Sequence, residues 1–136
     1  MPSNVPRSFV DIVMQFCYNG TMPIELRSKI WLEIDGETVF GSGRRALLEE
    51  IDRLGSINKA AKAIHISFRK ALSYIQSMEL RLGKELVIRQ AGGKNGGGAR
   101  LTDEAQSLLN QYRQLEKGVQ ETLDRKFIKV FHNPGD

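Results

Sequence analysis

The chain has 136 residues, 20 Lys/Arg against 16 Asp/Glu, 40% hydrophobic residues and a single cysteine. This length fits one domain with an appended element, and no run approaches the ~18 consecutive apolar residues of a membrane span. With one cysteine an internal disulfide is excluded, and no basic stretch followed by an apolar run opens the chain, so a reducing, cytoplasmic setting without membrane attachment is expected.

The distribution of charge says more than its total. Residues 42–101 carry twelve Lys/Arg against five Asp/Glu, whereas the remainder carries eight against eleven. A basic middle raises the local concentration of a polyanion and releases its counterions.

Along the chain, residues 1–28 open with Phe9, Ile12, Val13 and Phe16 at helical spacing before Gly20 and Pro23. They read either as a short docking helix or as a partly ordered lead-in. From Lys29 to Asp35 the pattern alternates, with Ile30, Leu32 and Ile34 on one face; Asp35-Gly36 and the run Glu37–Phe40 follow. Asp-Gly between two such runs predicts a two-stranded hairpin, because a type I′ turn needs positive φ at both central residues.

The period then changes from two to 3.6. Ala46, Leu47, Leu48, Ile51 and Leu54 form one apolar stripe ended by Gly55. Ser56 is a fit N-cap for a short helix whose inward face is Ile57, Ala60, Ala61 and Ile64. His65-Ile66 reads as a tight turn, and Ser67 caps a third helix with Phe68, Ala71, Leu72, Ile75, Met78 and Leu82 inward. Two short helices in close alanine contact followed by a longer one make the helix-turn-helix pattern, against the alternative of an ordinary three-helix cluster.

After Gly83, residues 85–90 read as a strand, 92–98 as a glycine-rich tip and 99–101 as a returning strand, with Arg89, Lys94 and Arg100 along this hairpin. A basic hairpin directly after a helix-turn-helix is a wing. Thr102 caps a last helix with Asp103 and Glu104 in its first turn. Running to about residue 131, that helix would span ~40 Å. Its stripe of Leu108, Tyr112, Leu115, Val119, Leu123, Phe127 and Val130 is too long for a small domain to bury. The expected cover is a second copy, giving a twofold dimer, with folding back on the chain's own core as the alternative.

Catalysis and metal binding find little support. Gly93-Lys94 is followed by Asn95 and further glycine, not by the Ser/Thr and helix of a phosphate-binding P-loop. His65 and His132 have no nucleophile at readable spacing, and two histidines with one cysteine leave a zinc site short of ligands. No enzyme activity, metal or cofactor is expected. On the third helix Arg69, Lys70, Ser73, Tyr74 and Ser77 fall off the apolar stripe. Arg and Lys can pair with guanine O6 and N7, and Ser with bases or phosphate. Arg44 and Arg45 open the first helix, where they touch phosphate or simply solvate its end.

Four segments carry a resemblance: Phe40–Leu48, Gly55–Ala61, Ile66-Ser67 and Gly92–Thr102. They are similar to the N-terminal DNA-binding domain of the molybdate-responsive ModE regulators, and their core resembles the LysR-type winged helix-turn-helix. The likeness covers roughly residues 29–115; the Gly-Gly-Lys-Asn-Gly-Gly-Gly-Ala wing is its most specific part. It implies a homodimer on a palindromic operator, with the helix after Ser67 in the major groove and the wing on flanking backbone or minor groove. Three departures bear on the operator: Phe68 where the family usually has Tyr, Leu72 where it has Trp, and more basic positions after Ser67. Full members continue into a molybdate-binding domain. This chain stops at Asp136 with no readable oxyanion pocket, so molybdate binding is not carried over.

The expected fold is thus mainly α with small β hairpins: a lead-in over 1–28, a winged helix-turn-helix over 29–102 and a dimerisation helix with tail over 103–136. The expected function is sequence-specific DNA binding by a transcriptional regulator. Ser67, Arg69, Lys70 and Ser73 read the groove, with Tyr74 as a further candidate, while Ser56, Lys94 and Arg100 hold the backbone. The alternative is a winged-helix interaction module that recruits a separate sensor.

Overall fold

A computed structural model describes residues 24–91 and 97–131. The expected helix over residues 9–16, Cys17, the glycine tip with Lys94, and His132 lie outside the described residues. Those described form two compact units, one of residues 29–113 and one of residues 24–28 with 114–131.

In the first unit, strands β1 (Leu32–Ile34) and β2 (Glu37–Phe40) form an antiparallel hairpin. Its turn has φ of 52° at Asp35 and 79° at Gly36, so both central residues adopt the sign that Asp-Gly predicts. The expected alternation does not persist. The register slips between Leu32 and Glu33, and Ile34 is left exposed while Val39 and Phe40 are buried side by side. A bulge re-aims the side chains beyond it.

Helix α1 (Ser42–Leu54) buries Leu47, Leu48 and Ile51 and ends at Gly55, whose N–H donates to the Ile51 carbonyl. Helix α2 (Ile57–Ala63) starts under the Ser56 hydroxyl, which accepts from the Lys59 N–H at 3.1 Å. Its inward face is Ile57, Ala60 and Ala61. His65 takes φ of 62° in the turn, and the Ile66 N–H returns to the Ala61 carbonyl at 3.0 Å. Helix α3 (Phe68–Leu82) begins with Ser67 accepting from the Lys70 N–H at 3.0 Å. It buries Ala71, Ile75 and Met78. Phe68, expected inward, is 40% exposed. Its spacing fits the stripe, but it occupies the first turn, beyond the end of the core.

Strands β3 (Val87–Gln90) and β4 (Gly98–Leu101) pair antiparallel, Val87 opposite Leu101 and Arg89 opposite Ala99. Three ties hold this hairpin to the helices. The Ala99 N–H donates to the Gly55 carbonyl at 2.9 Å. Thr102 caps α4, accepting from the Ala105 N–H while donating to the Glu85 carbonyl. The Glu79 carboxylate of α3 accepts from the Leu86 N–H at 2.8 Å and the Val87 N–H at 3.2 Å. Gly97 closes the hairpin with φ of 87°, where a Cβ would stand 2.1 Å from the Gln90 carbonyl oxygen. No side chain fits there.

Helix α4 (Asp103–Phe131) is continuous over 29 residues, as the sequence predicts, with Asp103 and Glu104 in its first turn. Within the first unit it contributes Ala105, Leu109 and Tyr112 to one core cluster with β2, α1, α2 and α3. Tyr112 meets Phe40 edge-to-face at 5.0 Å and donates its hydroxyl to the Ile30 carbonyl at 2.6 Å. In the second unit Phe127 and Asp124 are buried, Gln120 donates to Asp124 at 2.7 Å, and Leu115 and Val130 are exposed.

Replacing Glu79 with Ala leaves the part-buried backbone N–H groups of Leu86 and Val87 without their acceptor. We expect a loss of about 2–3 kcal/mol in denaturant unfolding; a loss under about 0.5 kcal/mol would show that the carboxylate does not hold the hairpin.

Candidate nucleic-acid interface

The first turns of α2 and α3 contain no acidic residue, in contrast to that of α4. Each presents free backbone N–H groups and a positive dipole end beside a capping serine. Ser56 and Ser67 therefore do structural work first: their side-chain oxygens are already engaged with the helix backbone. Ser67, Arg69, Lys70 and Ser73 are all exposed, on the side of α3 away from Ala71, Ile75 and Met78. The inward stripe and the outward basic face fall where the helical period puts them.

Tyr74 differs from its expected outward place. It is half-buried against the core, with the Arg44 guanidinium 4.8 Å above its ring and the Lys70 ammonium 5.7 Å from it. Its ring serves as a platform for two cations. Arg44 does not simply solvate the start of α1 either. It donates to the Thr38 carbonyl at 2.8 Å and the Val39 carbonyl at 3.0 Å, fastening β2 to the helix. Burial lowers its pKa from the usual arginine value, the phenol of Tyr74 opposes that shift, and Arg81 adds to it. Arg45 lies 5.9 Å over the Tyr112 ring. Trp31, Lys29, Ser42 and Gly43 complete a cleft of about 330 Å³ around Arg44 and Tyr74.

The two described wing arginines are separated by the pleat. Arg100 is paired with Ile88 and Arg89 with Ala99, so they lie on opposite faces of the hairpin, both exposed. Arg89 shares its face with Val87 and Ala99 and lies 6.0 Å over the Phe68 ring. Together they line a cleft of about 430 Å³ with Ser56 and Asn58 at the start of α2. The expected backbone residue Arg100 is not in this cleft. Sequence reasoning placed Arg89 only on the flank of the tip and missed Asn58. Alternation along β4 from Leu101 places Arg100 but not Arg89; setting the two on opposite faces needs the register between the strands.

Among the described residues no three His, Cys, Asp or Glu are grouped to hold a metal ion. No described helix is long and apolar enough to cross a membrane.

Comparison with known proteins agrees with this geometry. Residues 45–106 match the family described as bacterial regulatory helix-turn-helix protein, lysR family. The chain is 41% identical over 98 residues to the molybdenum transport protein ModE of Azotobacter vinelandii, a match covering 72% of this chain and 36% of that protein. It is 43% identical over 74 residues to the transcriptional regulator ModE of Haemophilus influenzae, covering 54% and 29% respectively. The chain thus spans about a third of the length of these relatives. A solved complex of the CbnR DNA-binding domain with DNA superposes with a TM-score of 0.50 at 20% identity, covering 65% of this chain and 95% of that one. That likeness establishes the fold. Residues 45–106 are accordingly a winged helix-turn-helix domain of the bacterial regulatory lysR type, and the chain is a homologue of the ModE proteins at about 40% identity.

Proposed function

We propose that the protein is a sequence-specific DNA-binding transcriptional regulator of the ModE kind, acting in the cytoplasm as a dimer on an inverted-repeat operator. The observation that carries this reading is the segregation of α3: three buried apolar residues on one side, and on the other Arg69, Lys70 and Ser73, all exposed. The helix N-termini at Ser56 and Ser67 add backbone donors for phosphate. In this reading Arg69, Lys70 and Ser73 meet base edges, whereas Lys94 and Arg100 meet backbone. Molybdate is not part of the proposal. Selection of bound sequences from a random DNA pool, with and without molybdate, tests it. An enriched inverted repeat with half-sites about one helical turn apart supports a dimeric reader. Enrichment dependent on molybdate would add an effector, and enrichment of nothing would favour the interaction module.

For dimerisation the supporting feature is α4 beyond the first unit. Leu115, Gly118, Val119 and Leu123 line an open, mainly apolar groove of about 340 Å³. A second copy of the helix is the occupant we propose. Sedimentation at increasing concentration should show a dimer that Leu115→Glu converts to monomer; an unchanged dimer would place the interface elsewhere.

Replacing Ser67 with Asp keeps a good N-cap, so thermal stability should hold within ~0.5 kcal/mol. The added carboxylate would face phosphate, and DNA affinity should fall at least about tenfold. Retained affinity would remove the α3 N-terminus from the interface.

Arg69→Ala should cost about 1–3 kcal/mol on the selected site and relax specificity at one base pair. Lys94→Ala should weaken all DNA alike and reduce the salt slope by about one unit. Titrations on the selected site and on a scrambled duplex, at several salt concentrations, separate the two roles.

A further inference from the structure

Helix α3 exposes two large apolar side chains, Phe68 at its first turn and Leu80 near its end, 40% and 82% accessible. Leu80 lies away from the wing cleft, whereas Phe68 lines it. The Phe68 ring is flanked by Ser67 and Arg69 in sequence and covered on one face by Arg89 from β3 at 6.0 Å. Ser56, Asn58 and Gln90 bring further polar groups to the same cleft. An aromatic ring surrounded by polar and basic groups is poorly matched to an apolar protein surface. It is well matched to a polyanion that displays one apolar group at a defined place. In the major groove of B-DNA that group is the 5-methyl of thymine.

We infer that Phe68 is a specificity-determining residue that reads thymine through its 5-methyl group, and that Arg89, held over the ring, is the positioning residue that fixes it while neutralising an adjacent phosphate. The inference rests on the DNA-reading function proposed above and extends it to a base. Three placements support it. Phe68 follows directly on the capped N-terminus of α3, the end that approaches base edges in helix-turn-helix readers. Ser56 and Asn58 at the start of α2 lie on the same cleft, as expected where the thymine methyl sits close to its own strand's backbone. Arg89, and not Arg100, occupies the wing face turned to that cleft. A cation held on an aromatic ring loses little of its charge to the contact and remains available to phosphate.

The test uses the full chain and the operator obtained by selection, with each thymine replaced singly by deoxyuridine, which removes only the methyl group. At one thymine the substitution should weaken wild-type binding about fourfold, the value of one buried carbon. Phe68→Ala should bind the parent operator more weakly and be indifferent to that same substitution. Phe68→Leu, which keeps an apolar contact, should retain part of the methyl dependence. Arg89→Ala should shrink the methyl penalty and lower the salt slope by about one unit, with Arg100→Ala leaving the methyl penalty intact. Wild-type protein indifferent to every deoxyuridine, or Phe68→Ala with an undiminished penalty, would overturn the inference while leaving the DNA-reading function standing. A protein that enriches no motif would overturn both.

Discussion

One carboxylate fixes the spacing between the two basic surfaces of this protein. Glu79 belongs to α3, yet its oxygen accepts the backbone N–H groups of Leu86 and Val87, where the wing begins. The helix itself has ended at Gly83, so a chain reversal of only a few residues is held across its mouth by two charge-assisted hydrogen bonds. The far strand is anchored independently, through the Ala99 N–H on the Gly55 carbonyl and the Thr102 hydroxyl on the Glu85 carbonyl. With both strands fastened to helix ends, the wing and α3 form a rigid frame in which Arg89 and Phe68 can meet. Preorganisation of this kind lowers the conformational entropy lost when a surface is recognised.

Beneath that frame the core is organised around Tyr112. Its ring is almost wholly buried against Phe40, and its hydroxyl reaches the Ile30 carbonyl 82 residues away in sequence. One residue of α4 thereby closes the N-terminal hairpin onto the helix-turn-helix. Surface pairs such as Arg113 with Glu49 and Arg81 with Glu37 are exposed and contribute little by comparison.

Most of this architecture was legible wherever a local rule had one solution. Asp35-Gly36 specified its turn, and Ser56, Ser67 and Thr102 specified helix starts that their hydrogen bonds now display. Gly55 and Gly83 specified helix ends, and the apolar stripe of α4, continued with a slip beyond Val119, specified its length. What could not be read depended on partners distant in sequence. Phe68 fits an inward stripe by spacing, but whether the first turn of a helix reaches the core depends on where the core ends. Arg44 looked like a helix-end cation because its two carbonyl partners lie on another element. Tyr74 looked outward because periodicity cannot see Arg44 arriving over its ring. For the candidate surface, residue types and the exposed face were legible. The division of Arg89 and Arg100 between the two faces of the wing required the register.

The division of labour along α3 has a consequence for how such a protein can change over evolutionary time. Ala71, Ile75 and Met78 are buried in the core cluster, while Arg69, Lys70 and Ser73 are exposed. Stability and the recognition proposed for this helix are therefore written on different letters of one segment. On the proposed DNA-reading function, a lineage can re-address such a helix to new sites by altering exposed letters alone, without first acquiring compensating changes in the interior. Tyr74 stands between the two sets: it packs against the core and carries the Arg44 and Lys70 cations on its ring, so a change there would be felt by the fold and by the exposed face together.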